Sequence, residues 1–187
     1  MKNVPLVLSL LFAASLLHAA DSKKLDAEVA AITKSALLID THNDIPSFTV
    51  TGADIANSPK NHTDIPRLKQ GGVGAVFFSV YVAATYVEGN HSANRTLQMI
   101  DSVQHDIIDR YPETFQQALT AADIEKAHRN HKIAALMGME GGHGIEDSPR
   151  LLRDYYRLGV RYMTLTHWNT NSWADSSGDI NNPKVQH

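Results

Sequence analysis

Residues 133–143 read IAALMGMEGGH, an unbroken apolar run that ends on a carboxylate, two glycines and a histidine. Apolar or small residues at every position, with no alternation, are the pattern of a strand buried on both faces, as in a parallel sheet covered by helices. The pattern recurs on either side, as LLI at 37–39, VGAVFFSVYV at 73–82 and VRYMTLTH at 160–167. Helical signals precede and separate these runs. Leu25, Val29, Ile32 and Ala36 keep helical spacing before the first strand, and Asp64 can cap a short turn that Pro66 starts and Gly71-Gly72 closes. Leu97, Ile100, Val103, Ile107 and Tyr111 predict an amphipathic helix ended by Pro112, and Thr120 with Asp123 opens the next in the manner of a capping box. Ser148-Pro149 starts a helix over Leu151 to Leu158 that Gly159 stops.

Four buried strands joined through helices predict parallel α/β architecture, because parallel neighbours need a crossover. An open Rossmann-like sheet is one solution, but no G-x-G-x-x-G or phosphate-binding loop follows any strand, which disfavours a nucleotide-binding version. A (β/α)8 barrel is the other, and with a usual length of about 250 residues four units would be half of one. The stretch 168–187, WNTNSWADSSGDINNPKVQH, has no periodicity and reads as a long loop cut short.

Residues 1–20 have the layout of a secretory signal peptide, with Lys2, an apolar run from Val4 to Leu17 and small residues after it; the run is too short to span a bilayer. The expected organisation is therefore a leader over 1–20 and, over 21–187, part of a single domain without a transmembrane segment. The chain has no cysteine, which excludes a disulfide scaffold, thiolate ligands and a cysteine nucleophile. Any metal must be held by nitrogen and oxygen. A formal net charge of -3 with interspersed signs argues against nucleic acid and against a polybasic membrane patch.

Polar residues gather where the strands end. His42 and Asp44 stand two apart in extended chain, so their side chains leave on one face and offer a nitrogen and an oxygen to one cation. A polar turn after a strand would look the same. Glu140 follows seven apolar or small residues and would be costly to bury unless paired or metal-bound, and a carboxylate can bridge two cations about 3.5–4 Å apart; an arginine partner is the competing explanation. His167 ends the fourth strand and puts a third polar group on the same rim, unless it is a structural histidine. His143 reads as a loop residue or a donor behind the ligands. Trp168 and Trp173 either wall a pocket or pack their own loop. The other histidines read as surface positions, and Asn61, Asn90 and Asn94 each begin a glycosylation sequon.

DTHNDIP, HTDIPRLKQGGVGAVFFSVY, RYPETF, MEGGHGI and LGVRYMTLTHWNTNSWAD occur in this order. Together they resemble the N-terminal half of the membrane (renal) dipeptidases, peptidase family M19, over about Leu38 to Asp175. The resemblance implies the N-terminal half of a (β/α)8 TIM-like metallohydrolase barrel with two zinc ions, hydrolysing dipeptides by a metal-bound hydroxide. It implies that His42 and Asp44 bind the first zinc, that Glu140 bridges both ions and takes part in catalysis, and that His167 is a catalytic, substrate-binding histidine. Two further zinc-ligand histidines are expected beyond His187, so the fragment alone is expected to be inactive, and because a half barrel would leave two open edges and bare the inward residues of VGAVFFSVYV, it is expected to be poorly stable. Where many relatives carry Trp after D-L-P, this chain has Ser47 and Phe48, which would alter the pocket wall. The implied partner is a dipeptide and a homodimer is compatible; the leader over 1–20 points to an exported, periplasmic or secreted protein, and the lack of the cysteines that animal members carry favours a bacterial, periplasmic origin. Two other readings stay open: a related amidohydrolase acting on N-acyl-amino acids or lactams, and a non-catalytic metal- or ligand-binding domain.

Overall fold

Strands β1 (Leu38–Asn43), β2 (Val73–Tyr81), β3 (Phe115–Gln117), β4 (Ile133–Glu140) and β5 (Val160–Met163) form one sheet in which every pairing is parallel. The computed structural model describes residues 22–33 and 35–182. β2 lies between β1 and β4. The far edge of β4 is shared, with Phe115 of β3 opposite Ile133 at its start and Val160 of β5 opposite Met137 further along. The crossovers are carried by α1 (Pro46–Thr49), α2 (Ile65–Gln70), α3 (Ser92–Asp101), α4 (Ala121–Arg129) and α5 (Pro149–Leu158), and α3 continues as a π-helical segment, Ser102–Asp109.

The two faces of the sheet differ. Val76, Phe78 and Val80 of β2 with Met137 and Met139 of β4 point one way and join Met99, Ile100, Val103, Ile107 and Tyr155 in the main core. The alternate residues, Ala75, Phe77, Ser79 and Tyr81 opposite Ala134, Leu136, Gly138 and Glu140, form the inner face. At its N-terminal end this face is not open. Ala118 with Ala127 and Ile124 of α4 pack on Ala75, Ala134 and Leu136, small side chains that let helix and sheet approach closely. The expectation that a half barrel bares the inward residues of VGAVFFSVYV is therefore corrected: Ala75 and Ser79 are fully buried, and Val73, Phe77 and Tyr81 are partly covered.

Other differences have local causes. The first strand is longer than 37–39 and includes His42, because Asn43 Nδ2 donates to Asp40 Oδ2 at 2.8 Å and keeps the polar segment extended. It is not buried as expected: Leu38 and Ile39 are exposed, since β1 pairs only with β2. β3, three residues long, is absent from the sequence reading. β5 stops at Met163 rather than His167: the Thr164 N–H still donates to the Met139 carbonyl at 3.0 Å, but the next N–H of the neighbouring chain, that of Gly141, is taken at 2.8 Å by the Thr164 hydroxyl instead of a backbone carbonyl. Leu97 is exposed, and Thr96 and Met99 take its place on the buried face of α3. Residues 22–33 are helical with Leu25, Val29 and Ile32 exposed, in a unit that ends at Leu37. The expected leader lies outside the described residues, among which no helix is long and apolar enough to cross a membrane.

The caps follow the sequence. Thr120 and Asp123 form the capping box of α4, and Gly159 ends α5 in the left-handed region. Asp64 caps α2, accepting from Arg67 N at 3.0 Å and from Arg67 Nη2 at 2.8 Å, while the same guanidinium holds the carbonyls of Ser58 and Asn61. The Arg67 side chain and then its backbone N–H bring the Asp64 carboxyl down from 3.8 to about 2. A carboxyl depressed on folding stabilises the protein fully above its unfolded pKa and ceases to do so as pH falls through the folded value. The stability advantage of the wild type over Asp64→Asn should therefore be constant above pH 4 and shrink between pH 4 and 2, as read by urea midpoints. An advantage that does not change over that window would show that the charge is not what matters.

Candidate metal centre

The C-terminal ends of three strands bring the polar side chains together. His42 is the penultimate residue of β1, Asp44 follows that strand, Glu140 ends β4, and His167 lies in the segment after β5. A register shift in β1, with Asp40 opposite Val76 but Asn43 opposite Phe78, inserts one extra residue beside His42. Such a bulge re-aims side chains locally. The ligand atoms of His42, Asp44 and Glu140 all lie within 4.8 Å of one another.

Glu140 is the hub. Its Oε2 is 3.3 Å from His42 Nε2 and accepts the Ser79 hydroxyl at 3.0 Å, while its Oε1 is 3.2 Å from His167 Nε2. These partners are two imidazoles and a hydroxyl, not an arginine. Asp44 Oδ1 is 3.3 Å from the same His42 nitrogen and is the most exposed of the group. The other nitrogen of His42, Nδ1, is 2.9 Å from the Tyr162 hydroxyl, which is 3.4 Å from the Thr41 carbonyl. A contact from β1 to β5 thus crosses the inner face over Gly138. A Cβ at Gly138 would fall 1.9 Å from the Tyr162 ring, and Phe77 packs on that ring at 5.4 Å between centroids. His167 sits edge-on to both Tyr81 and Trp168 at 5.1 and 5.3 Å. Burial, then the charges of Glu140 and Asp44, raise the phenol pKa of Tyr81 and Tyr162, so both remain hydrogen-bond donors at neutral pH.

The convergence of His42, Asp44, Glu140 and His167 follows from their places at strand ends. His143 stands apart, buried in the turn Gly142–Ile145 with Nε2 donating to the Val82 carbonyl at 2.9 Å. Phe48 and His62, the latter read as a surface residue, help line a hollow of about 260 Å³ with His42 and Asp44. Trp168 packs on His167, and Trp173 lies against Gly142. Ser79, Tyr162 and Gly138 were not singled out by the sequence reading. The signals were there: a hydroxyl inside an apolar strand, and a glycine inside another that marks close approach.

The sequence model of the membrane dipeptidase family, peptidase family M19, matches residues 26–187. The chain belongs to the membrane dipeptidase family. It is 40% identical over 156 residues to the dipeptidase verJ of Clonostachys rogersoniana, a match covering 75% of this chain and 40% of that protein. The chain thus spans less than half the length of the curated relatives it matches. Among solved structures, the probable dipeptidase PvdM of Pseudomonas aeruginosa superposes with a TM-score of 0.72 at 16% identity, covering 82% of this chain and 40% of that one. A metallopeptidase of Rhodobacter sphaeroides, solved with a phosphinate mimic of the dipeptide L-Ala-D-Ala, superposes with a TM-score of 0.56 at 20% identity, covering 67% and 44%. For this membrane dipeptidase family member the likenesses show the α/β fold with its parallel sheet, of which the chain is a part.

Proposed function

We propose that this chain supplies the first strands and part of the metal centre of a zinc-dependent dipeptidase. The observation that carries the reading is Glu140, whose two carboxylate oxygens face two different imidazoles, those of His42 and His167. Family membership supports hydrolysis, and the phosphinate bound to the Rhodobacter sphaeroides relative supports dipeptides with a D-residue at the C-terminus as the substrate class.

The residues fit zinc by their chemistry. One imidazole and two carboxylates lie close enough to share an ion, and in a chain without cysteine this nitrogen and oxygen set suits zinc in a site of catalytic type. His42 and Asp44 would hold one ion, and Glu140 would be shared with a second, whose remaining ligands would come from the part of the family's length that this chain does not span. Zinc bound there supplies Lewis acidity, polarising a carbonyl and lowering the pKa of water toward neutrality. If Nε2 of His42 were given to the ion, Nδ1 would carry the proton and donate to the Tyr162 oxygen, which would fix the ring and its tautomer. Ser79 holds one Glu140 oxygen in place. His167, braced by Tyr81 and Trp168, would orient the substrate carbonyl. Export to the periplasm or outside the cell is part of the same proposal and rests on the composition of residues 1–20.

The test is metal content and turnover of L-Ala-D-Ala and Gly-D-Ala, beside an N-acyl-D-amino acid, for residues 21–187 and for a chain carrying the later strands. The longer chain should bind two zinc ions, lose hydrolysis to a chelator and regain it with zinc. Residues 21–187, with three of the expected ligands, should bind at most one ion and turn over little. Full turnover by metal-free protein would refute the metal reading, and preference for the N-acyl substrate would refute the dipeptide one.

A further inference from the structure

Three buried side-chain atoms among the described residues have no hydrogen-bond partner: Ser92 Oγ, His143 Nδ1 and Asn169 Oδ1. All three residues line one cavity of about 180 Å³, between the loop before α3, the turn after β4 and the loop after His167. Ser92 is fully buried and His143 is 7% exposed, so these groups have left water. The backbone marks the same place. Asn90, Glu146 and Asp147, with φ of 56°, 47° and 54°, also line the cavity, and such left-handed conformations in residues with a Cβ cluster at ligand sites.

The chemistry of the lining narrows the occupant. A carbonyl can only accept, so the contact with Val82 puts the proton of His143 on Nε2 and leaves a lone pair on Nδ1. Burial, which lowers the imidazole pKa, supports that neutral form. Asn169 Oδ1 is an acceptor, and Glu146 and Asp147 add two carboxylates, held by the N–H of Ala93 at 2.9 Å and the hydroxyl of Ser172 at 2.6 Å. No lysine or arginine lines the cavity. What fits is positively charged. Its ligand atoms are chiefly oxygen, as calcium prefers, and the volume is several times the roughly 30 Å³ share of one water, room for an ion that keeps part of its hydration. Zinc fits less well, because the tight gathering of three or more His, Asp or Glu among the described residues is the His42, Asp44 and Glu140 group.

We propose that this cavity is a second cation site, for a partly hydrated calcium-class ion held by Glu146, Asp147 and Asn169, with His143 and Ser92 accepting from or bonding to its waters. It shares no residue with the zinc centre. It ties together the segments that carry Glu140, three residues before His143, and His167, two before Asn169.

The test uses protein with saturating zinc, so that the first centre is closed to the probe, and terbium as a luminescent calcium substitute. Trp173, next to Ser172 in the chain, provides the sensitiser. Terbium emission excited through tryptophan should saturate at one equivalent and be displaced by calcium, and calcium should raise the thermal midpoint. Asp147→Asn keeps a residue that tolerates the left-handed backbone and still accepts from Ser172, yet should weaken calcium at least tenfold. Asn169→Leu should do the same. Each variant is judged by the calcium-induced shift from its own calcium-free midpoint, so a general loss of stability does not imitate the result. The proposal is overturned if no calcium-competed signal appears, or if Asp147→Asn and Asn169→Leu leave the affinity unchanged.

Discussion

Replacing Glu140 by Gln in the full enzyme is expected to remove dipeptide hydrolysis and at least one zinc ion while leaving the fold intact. The carboxylate sits 17% exposed between His42 and His167, and an amide there keeps the volume and can still accept from Ser79 through its carbonyl oxygen. What it loses is the negative charge and one of two acceptor oxygens, so it cannot neutralise two cations. Metal-derived stabilisation of developing charge is worth several kcal/mol, which converts to a rate loss on the order of 10³-fold or more. Zinc per chain, turnover of Gly-D-Ala and far-UV circular dichroism are the measurements. Wild-type zinc content with wild-type turnover would sink the assignment of Glu140.

Gly138→Ala is expected to damage both stability and the metal centre, although it adds one methyl group and touches none of the proposed ligands. The new Cβ would meet Tyr162 at 1.9 Å from Cζ and 2.2 and 2.4 Å from the two Cε atoms, in a position paired with Tyr162 across the ladder. The ring cannot stay. Overpacking of this kind costs about 1–3 kcal/mol, and displacing the hydroxyl that orients His42 should cost about 10–100-fold in zinc affinity. A double-mutant cycle separates the two effects. In a Tyr162→Ala background, Gly138→Ala should cost little further stability, whereas zinc affinity should remain low. If Gly138→Ala alone unfolds at the wild-type urea midpoint, the packing of this ring against bare backbone is not as tight as the distances indicate.

The rim of the site was legible in the sequence because it is local. Each of His42, Asp44, Glu140 and His167 follows an apolar run, and a strand end is a place where charge is tolerated only for a reason. The supporting groups were not legible, because they arise from contacts across the sheet. Tyr162 reaches His42 over a separation of 120 residues, and nothing in VRYMTLTH tells which tyrosine face meets what. The same limit hid the cover on the inner face. α4 offers only Ala127 and Ile124 to the sheet, a stripe too weak to distinguish from a surface helix, and its alanines matter only because Ala75 and Ala134 are there to receive them. β3 escaped for a different reason: three residues with one buried phenylalanine carry no periodicity.

The cover provided by α4 has a consequence for how the sheet should open. Near their N-terminal ends β2 and β4 are packed on both faces, while toward Tyr81 and Glu140 the inner face gives way to polar groups. Hydrogen exchange should follow that division, with deuterium entering first at Val80 to Val82 and around Glu140 and last at Ala75, Val76, Ala134 and Ala135, where solvent must first lift a helix from the sheet. Thermal fluctuation would then be concentrated at the end of the strands that carries His42, Glu140 and His167, and the other end would act as a fixed anchor against which the rim can move.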